Sequence, residues 1–304
     1  PTLEKEGWDR SEVTLAWDFV TGSQQGITGR PQWLRDDALS RFASGDPTYT
    51  VVSTEEAPNE HTAFRIYGEF SAPLYMEADD TGTVLTRDEE GQPFYNGETT
   101  VGFSMIVPNS VVESGEPAAI VQYGHGLLGS RGEVHNSYLA EMADRYGWIL
   151  IASDWTGMSD DDVGDITLML VEELDRFSII PERSLQGFVE KLWLMRLAMG
   201  PLADEPLLQH TDTETGESHS LIDTERRYYY GNSQGAILGG GYLGLSPDID
   251  RAVLGVGGTP YNLLLTRSYD FEPFFLVFKA MYPDPAEISL WLGLVQSIWD
   301  PGES

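Results

Sequence analysis

The stretch YYYGNSQGAILGG, residues 228–240, decides the fold. Its tyrosines are the spelling of a strand, GNSQG (231–235) that of a tight turn, and the small apolar run behind it that of a closely packed helix. Glycines two before and two after Ser233 let a strained turn lift the serine hydroxyl clear of a sheet, because they keep the neighbouring backbones from colliding. The start of the helix would then stabilise negative charge developing nearby. In a strand-turn-helix setting Gly-x-Ser-x-Gly marks Ser233 as a candidate nucleophile; without those flanks the pentapeptide would be a chance match in a glycine-rich turn.

A second signal lies upstream, where the apolar run AAIVQYG (118–124) opens into the loop of VQYGHGLLGS (121–130). Attack on an ester carbonyl creates an oxyanion that needs two backbone N–H donors, one from the residue after the serine and one from a loop after an earlier strand. Gln234 and Leu127 occupy those places, and His125 reads as a residue whose ring fixes the loop. VHNSYLAEMADRYG (134–147) predicts an amphipathic helix closed by Gly147, and WILIAS (148–153) predicts a second buried strand parallel to the first. PERSLQGFVEKLWLMRLAMG (181–200) predicts a long amphipathic helix, and RAVLGVGG (251–258) a further strand. The sum is an α/β chain with an open, mostly parallel, doubly wound sheet.

Nearer the N-terminus, HTAFRIYGEFSAPLYM (61–76) and TTVGFSMIVP (99–108) read as strands able to pair as a long hairpin. PQWLRDDALSRFA (31–43) reads as a helix and EVTLAWDFVTGS (12–23) as a terminal strand. The expected division is a β-rich extension or linker over 1–60, a core over 61–260 and a helical cap over 261–304. The cap segment, with Leu263, Phe271, Phe278 and Trp299 among others, holds more apolar surface than a loop can hide. It predicts either the lining of an acyl pocket or a packing layer.

Composition narrows the function. Asp and Glu number 49 against 18 Lys and Arg, and the net charge of −31 opposes binding to nucleic acid or an anionic membrane. No run approaches the roughly 18 apolar residues of a membrane span, and PTLEKEGWDR lacks the blocks of a signal peptide. The missing initiator methionine reads as processing or cutting. Without cysteine there are no disulfides, thiol nucleophiles or thiolate metal sites. The acidic SDDDVGD (159–165) lacks the full calcium-loop spacing and reads as a solvated loop, and no zincin, phosphate-loop or dinucleotide motif is present, so neither metal nor cofactor is expected.

The ordered set YGHGLLGS, SDWTGMSDDD, YYYGNSQGAILGG and RAVLGVGGTPYNLLLTRS resembles the α/β-hydrolase superfamily, and within it the secreted bacterial lipases and esterases of the virulence-factor lipase group. The resemblance covers most of the chain from about residue 60. It implies a carboxylic ester hydrolase, secreted or at the cell envelope, that takes a small-molecule or lipid ester through an acyl-enzyme on Ser233. It also implies that Gly124, His125, Gly126 and Leu127 form the oxyanion loop, and that Asp154, Trp155, Gly157 and Ser159 follow the fourth strand as support. LAWDFVTGS (15–23) is similar to the tail of a β-sandwich that precedes this domain in some relatives.

One feature departs from the family order of serine, acid, histidine: His61, His125, His135, His210 and His219 all precede Ser233. The rest of the domain would lie in a second chain made by cleavage, or be absent from this sequence, or a histidine would be recruited from an unusual place. Cleavage or truncation is the favoured expectation, with the C-terminal strands missing. His219 reads as an exposed loop residue and Asp300 as a residue after a helix. A serine peptidase or amidase on the same fold and a non-catalytic secreted binding protein remain open.

Overall fold

Strands as apolar as AAIVQYG and WILIAS need cover on both faces, and helices supply it around one seven-stranded sheet. The computed structural model describes residues 5, 7–9, 11, 13, 14, 22–45 and 47–303. In chain order the described elements begin with α1 (Gln24–Ser44), β1 (Tyr49–Asn59), β2 (Thr62–Pro73), β3 (Glu98–Pro108), α2 (Asn109–Ser114) and β4 (Ala118–Gly124). Next come α3 (Ser137–Tyr146), β5 (Trp148–Ser153), α4 (Val163–Glu172), α5 (Ile179–Met199) and a short ribbon of β6 (Gln209–Thr211) and β7 (Ser218–Ser220). The last are β8 (Ile222–Asn232), α6 (Gln234–Leu245), β9 (Arg251–Gly255), α7 (Tyr261–Leu265), α8 (Glu272–Met281) and α9 (Pro285–Trp299). Most of the strand expected in EVTLAWDFVTGS lies outside the described residues.

The sheet order is β1-β2-β3-β5-β4-β8-β9. β2 and β3 pair antiparallel, as the hairpin expected from their sequences, while β5, β4, β8 and β9 form a parallel block. Parallel pairing brings Gly124, at the end of β4, beside Gly231, near the end of β8. The loops that follow these strands therefore emerge together at one edge of the sheet. One face packs on a large core with α5 at its centre, and the other on a smaller cluster formed with α3 around Val121, Tyr123 and Leu139.

The structure alters three expectations. Tyr49–Asn59, in the segment expected as a β-rich extension or linker outside the core, is the edge strand of the same sheet, paired with β2. The helix expected to be amphipathic, α5, is buried around nearly its whole circumference, because α1 covers the face turned away from the sheet: Phe42 packs edge-on against Trp193, whose Nε1 donates to the Ala38 carbonyl at 3.3 Å. The acidic segment 159–165 is exposed at Asp160 and Asp161, as expected, but is anchored at its ends rather than a free loop. Ser159 and Asp162 form a capping box, and Asp162 is buried against the Arg183 guanidinium at 2.8 Å, after which the chain enters α4.

Candidate active site

Ser233 sits between β8 and α6 with φ 54° and ψ −119°, a conformation that non-glycine residues rarely adopt. The surroundings hold it there. Its N–H donates to the Gly255 carbonyl at 2.9 Å, and its own carbonyl accepts from the Ala236 and Ile237 amides. A Cβ on Gly231 would come within 2.0 Å of the Gly235 carbonyl oxygen, and one on Gly235 within 2.1 Å of the Gly124 carbonyl oxygen. The two glycines of the pentapeptide are thus demanded by the closeness of the turn to its own helix and to the end of β4. Buried Tyr229 completes the turn by donating its hydroxyl to the Gly235 carbonyl.

The loop after β4 lies against this turn. Leu128 N–H donates to the Gln234 side-chain oxygen at 3.3 Å, and the Gln234 amide nitrogen donates to the Met158 carbonyl at 2.8 Å. The buried Gln234 side chain thereby ties together the serine turn, the 125–130 loop and the segment after β5. Among the described residues, neither the Leu127 N–H nor the Gln234 N–H finds a protein acceptor. Both remain free to donate.

His125 is wholly buried. Its Nε2 accepts the Trp155 N–H at 2.7 Å, which leaves the proton on Nδ1 to be donated to the Gly126 carbonyl at 2.9 Å. Burial, reinforced by the Lys191 charge, pushes its pKa down to about 4, so the ring stays neutral. Gly126 N–H donates to Glu133 at 3.0 Å. Asp154 accepts the Arg131 N–H at 2.5 Å and pairs with the same residue's guanidinium.

The other histidines are engaged elsewhere. His61 faces Asp144 at 3.1 Å, His135 packs edge-on against Tyr67, and His210 and His219 face each other across the β6–β7 ribbon. His219, exposed as expected, also bonds the Gly115 carbonyl at 2.7 Å. Asp300 follows α9 and accepts from Gln296. Among the described residues no hydrogen bond reaches the Ser233 hydroxyl, and no group of three or more His, Asp or Glu residues could hold a metal ion.

A polar cleft of about 490 Å³ opens beside the loop ends, with Arg131, Asp154, Ser159, Arg183, Gln186 and Glu190 in its lining. Between α4 and α7–α9, Leu170, Phe177, Leu265, Phe275, Phe278 and Trp299 surround about 40 Å³. α8 packs here against α4. The sequence reading missed Arg131, Glu190 and Lys191. A signal for the last two was present, in a Glu-Lys pair set inside the apolar run FVEKLWLM (188–195).

Strand order, a serine held at positive φ between strand and helix, and an adjoining loop after the neighbouring parallel strand together define an α/β-hydrolase fold. No family model and no curated protein matches the chain. Among solved structures it is similar to an acetyl xylan esterase from Paenibacillus sp. R4, at 14% identity and a TM-score of 0.49, over 93% of this chain and 76% of that one. It is likewise similar to acetyl xylan esterase 1 from Thermoanaerobacterium sp. JW/SL YS485, at 14% identity and 0.46, over 90% and 73%. A glucuronoyl esterase from Teredinibacter turnerae T7901 follows at 12% and 0.37, over 74% of this chain and 51% of that chain.

Proposed function

We propose that the chain is a serine-dependent carboxylic ester hydrolase. The observation that carries this reading is Ser233 at φ 54°, with the Leu127 and Gln234 amides unpaired beside it. Ser233 Oγ attacks the ester carbonyl, the carbonyl oxygen gathers negative charge between the two amides, and the alcohol leaves to give an acyl-enzyme that water then hydrolyses. His125 does not act as the base, since both its ring nitrogens are engaged in holding the loop. The step needs a proton acceptor at Ser233 Oγ, the part that a histidine backed by a carboxylate plays in a serine-hydrolase triad. The substrate is a small-molecule or lipid ester, and nothing in the chemistry requires a cofactor.

A fluorophosphonate probe tests the nucleophile. Mass spectrometry is expected to find its adduct on Ser233, and hydrolysis of p-nitrophenyl acetate is expected to vanish in Ser233→Ala. A non-catalytic binding protein on this scaffold is the second reading, favoured by the lack, among the described residues, of any hydrogen bond to the Ser233 hydroxyl, and it forms no adduct.

A further inference from the structure

Lys191 is fully buried in α5, with no carboxylate at ion-pair distance among the described residues. Its Nζ donates to the Ser153 carbonyl at 3.0 Å, meets Ser153 Oγ at 3.2 Å and lies 4.1 Å from the centre of the Trp155 ring. All three contacts fall on the turn that leaves β5. An amine in the interior costs far more desolvation than an apolar side chain of the same size, so packing does not call for it here.

The same turn grips the 125–131 loop at both ends. Trp155 N–H holds His125 at the start, and the Asp154 carboxylate holds the backbone and guanidinium of Arg131 at the finish. Leu127, with its free N–H, lies between the two grips. We propose that Lys191 is a positioning residue for the 125–131 loop, acting through the Ser153–Trp155 turn that clamps the loop at either end. The consequence for catalysis rests on the reading of Ser233 as nucleophile; the clamp itself does not.

A structural filler and a positioning amine respond differently to pH. Burial pushes Lys191 down to about 7, and opening the turn to water would raise it again. A group whose pKa is lower in the closed state takes up a proton on opening, so loop closure strengthens as pH rises through about 7. The charged or titratable groups around Lys191 are His125 after β4, Asp154 after β5, Tyr242 on α6, and Glu190 and Arg183 on its own helix. Glu190 titrates in the same range with the opposite sign and must be separated.

Hydrogen exchange of the peptide spanning 125–131, corrected for intrinsic rates, reads the clamp directly. In the full chain the opposite contributions of Lys191 and Glu190 are expected to offset each other between about pH 6 and pH 8, and in Glu190→Gln the protection is expected to rise over that range. In Lys191→Met only the Glu190 contribution remains, so protection is expected to fall over that range and exchange to quicken about tenfold, while peptides from β1 and β2 stay unchanged. A folded Lys191→Met that keeps wild-type protection and its pH dependence overturns the proposal, as does loss of the rise in Glu190→Gln. If Lys191→Met does not fold, Ser153→Ala decides: removing the Oγ contact is expected to loosen 125–131 about twofold to threefold, and an unchanged loop overturns the proposal. Fluorophosphonate labelling, run on the same samples, judges Ser233 separately. Absence of an adduct in wild type sinks the esterase reading, whereas an adduct formed equally fast in a loosened Lys191→Met shows that the loop position does not matter to the serine.

Discussion

A serine at φ 54° and ψ −119° stores roughly 1–3 kcal/mol of backbone strain, and such a residue persists only where its surroundings over-determine it. Here the determinants are glycines. Gly235→Ala would drive a Cβ to 2.1 Å from the Gly124 carbonyl oxygen and 2.5 Å from its carbon, and backbone cannot step aside as a flexible side chain can. The expected loss is about 3 kcal/mol or more, read as a lower urea midpoint at unchanged slope, with slower fluorophosphonate labelling. Gly244, in the same helix, has nothing within 4 Å of its would-be Cβ. Gly244→Ala is therefore expected to be neutral or to stabilise by up to about 1 kcal/mol. The place of Ser233, Gln234 and Leu127 in one turn and one loop was legible in the sequence because each arrangement is local, a turn spelled in five residues and a loop spelled in six. Arg131 was not. Its partner Asp154 lies 23 residues away, and only the pairing of β4 with β5 brings the two together.

At the scale of an element, α5 shows how one helix joins the sheet to the site. Gln186 accepts the Tyr75 N–H and donates to the Pro73 carbonyl and to Glu190, Arg183 reaches Asp162, and Glu190 accepts from Thr156. Periodicity located this helix almost to the residue, but could not show that α1 would close over it and bury its polar positions. Glu190 bears the consequence, since burial raises its pKa from 4.5 to about 7. Between those values the native protein keeps a proton that the unfolded chain has released, so this contribution is fully present below about pH 4.5 and is lost as pH rises through about 7. A difference of this size corresponds to about 3 kcal/mol. Relative to wild type, Glu190→Gln is expected to gain most of that at pH 8 and almost none at pH 4, by urea denaturation at the two values. An equal gain at both would mean that the side chain's shape, not its ionisation, matters.

For the whole molecule the governing quantity is charge. With 49 acidic against 18 basic side chains the fold repels itself, and part of the attraction within the core is spent holding those charges near one another. Salt shortens the reach of that repulsion from about 30 Å at 0.01 M to about 3 Å at 1 M. Most ion pairs involve at least one partly exposed partner, as at Arg35–Asp36 and Arg176–Glu173, and such pairs contribute little that screening could remove. The melting temperature is therefore expected to rise with NaCl over that range, by roughly 2–4 °C for each kcal/mol of repulsion relieved. Screening has a second effect, at the edge of the sheet. β9 pairs with β8 on one side only among the described residues, and Val253 and Leu254 are exposed along it, with Val256 exposed just beyond. An open apolar edge is a template for pairing between copies, and like charge is what keeps copies apart. Light scattering recorded beside the melts should show association setting in at high salt. A melting temperature that is flat or falls from 0.01 to 1 M NaCl, in samples that stay monodisperse, would show that the acidic surface is already neutralised by local pairing and that net charge does not limit this fold.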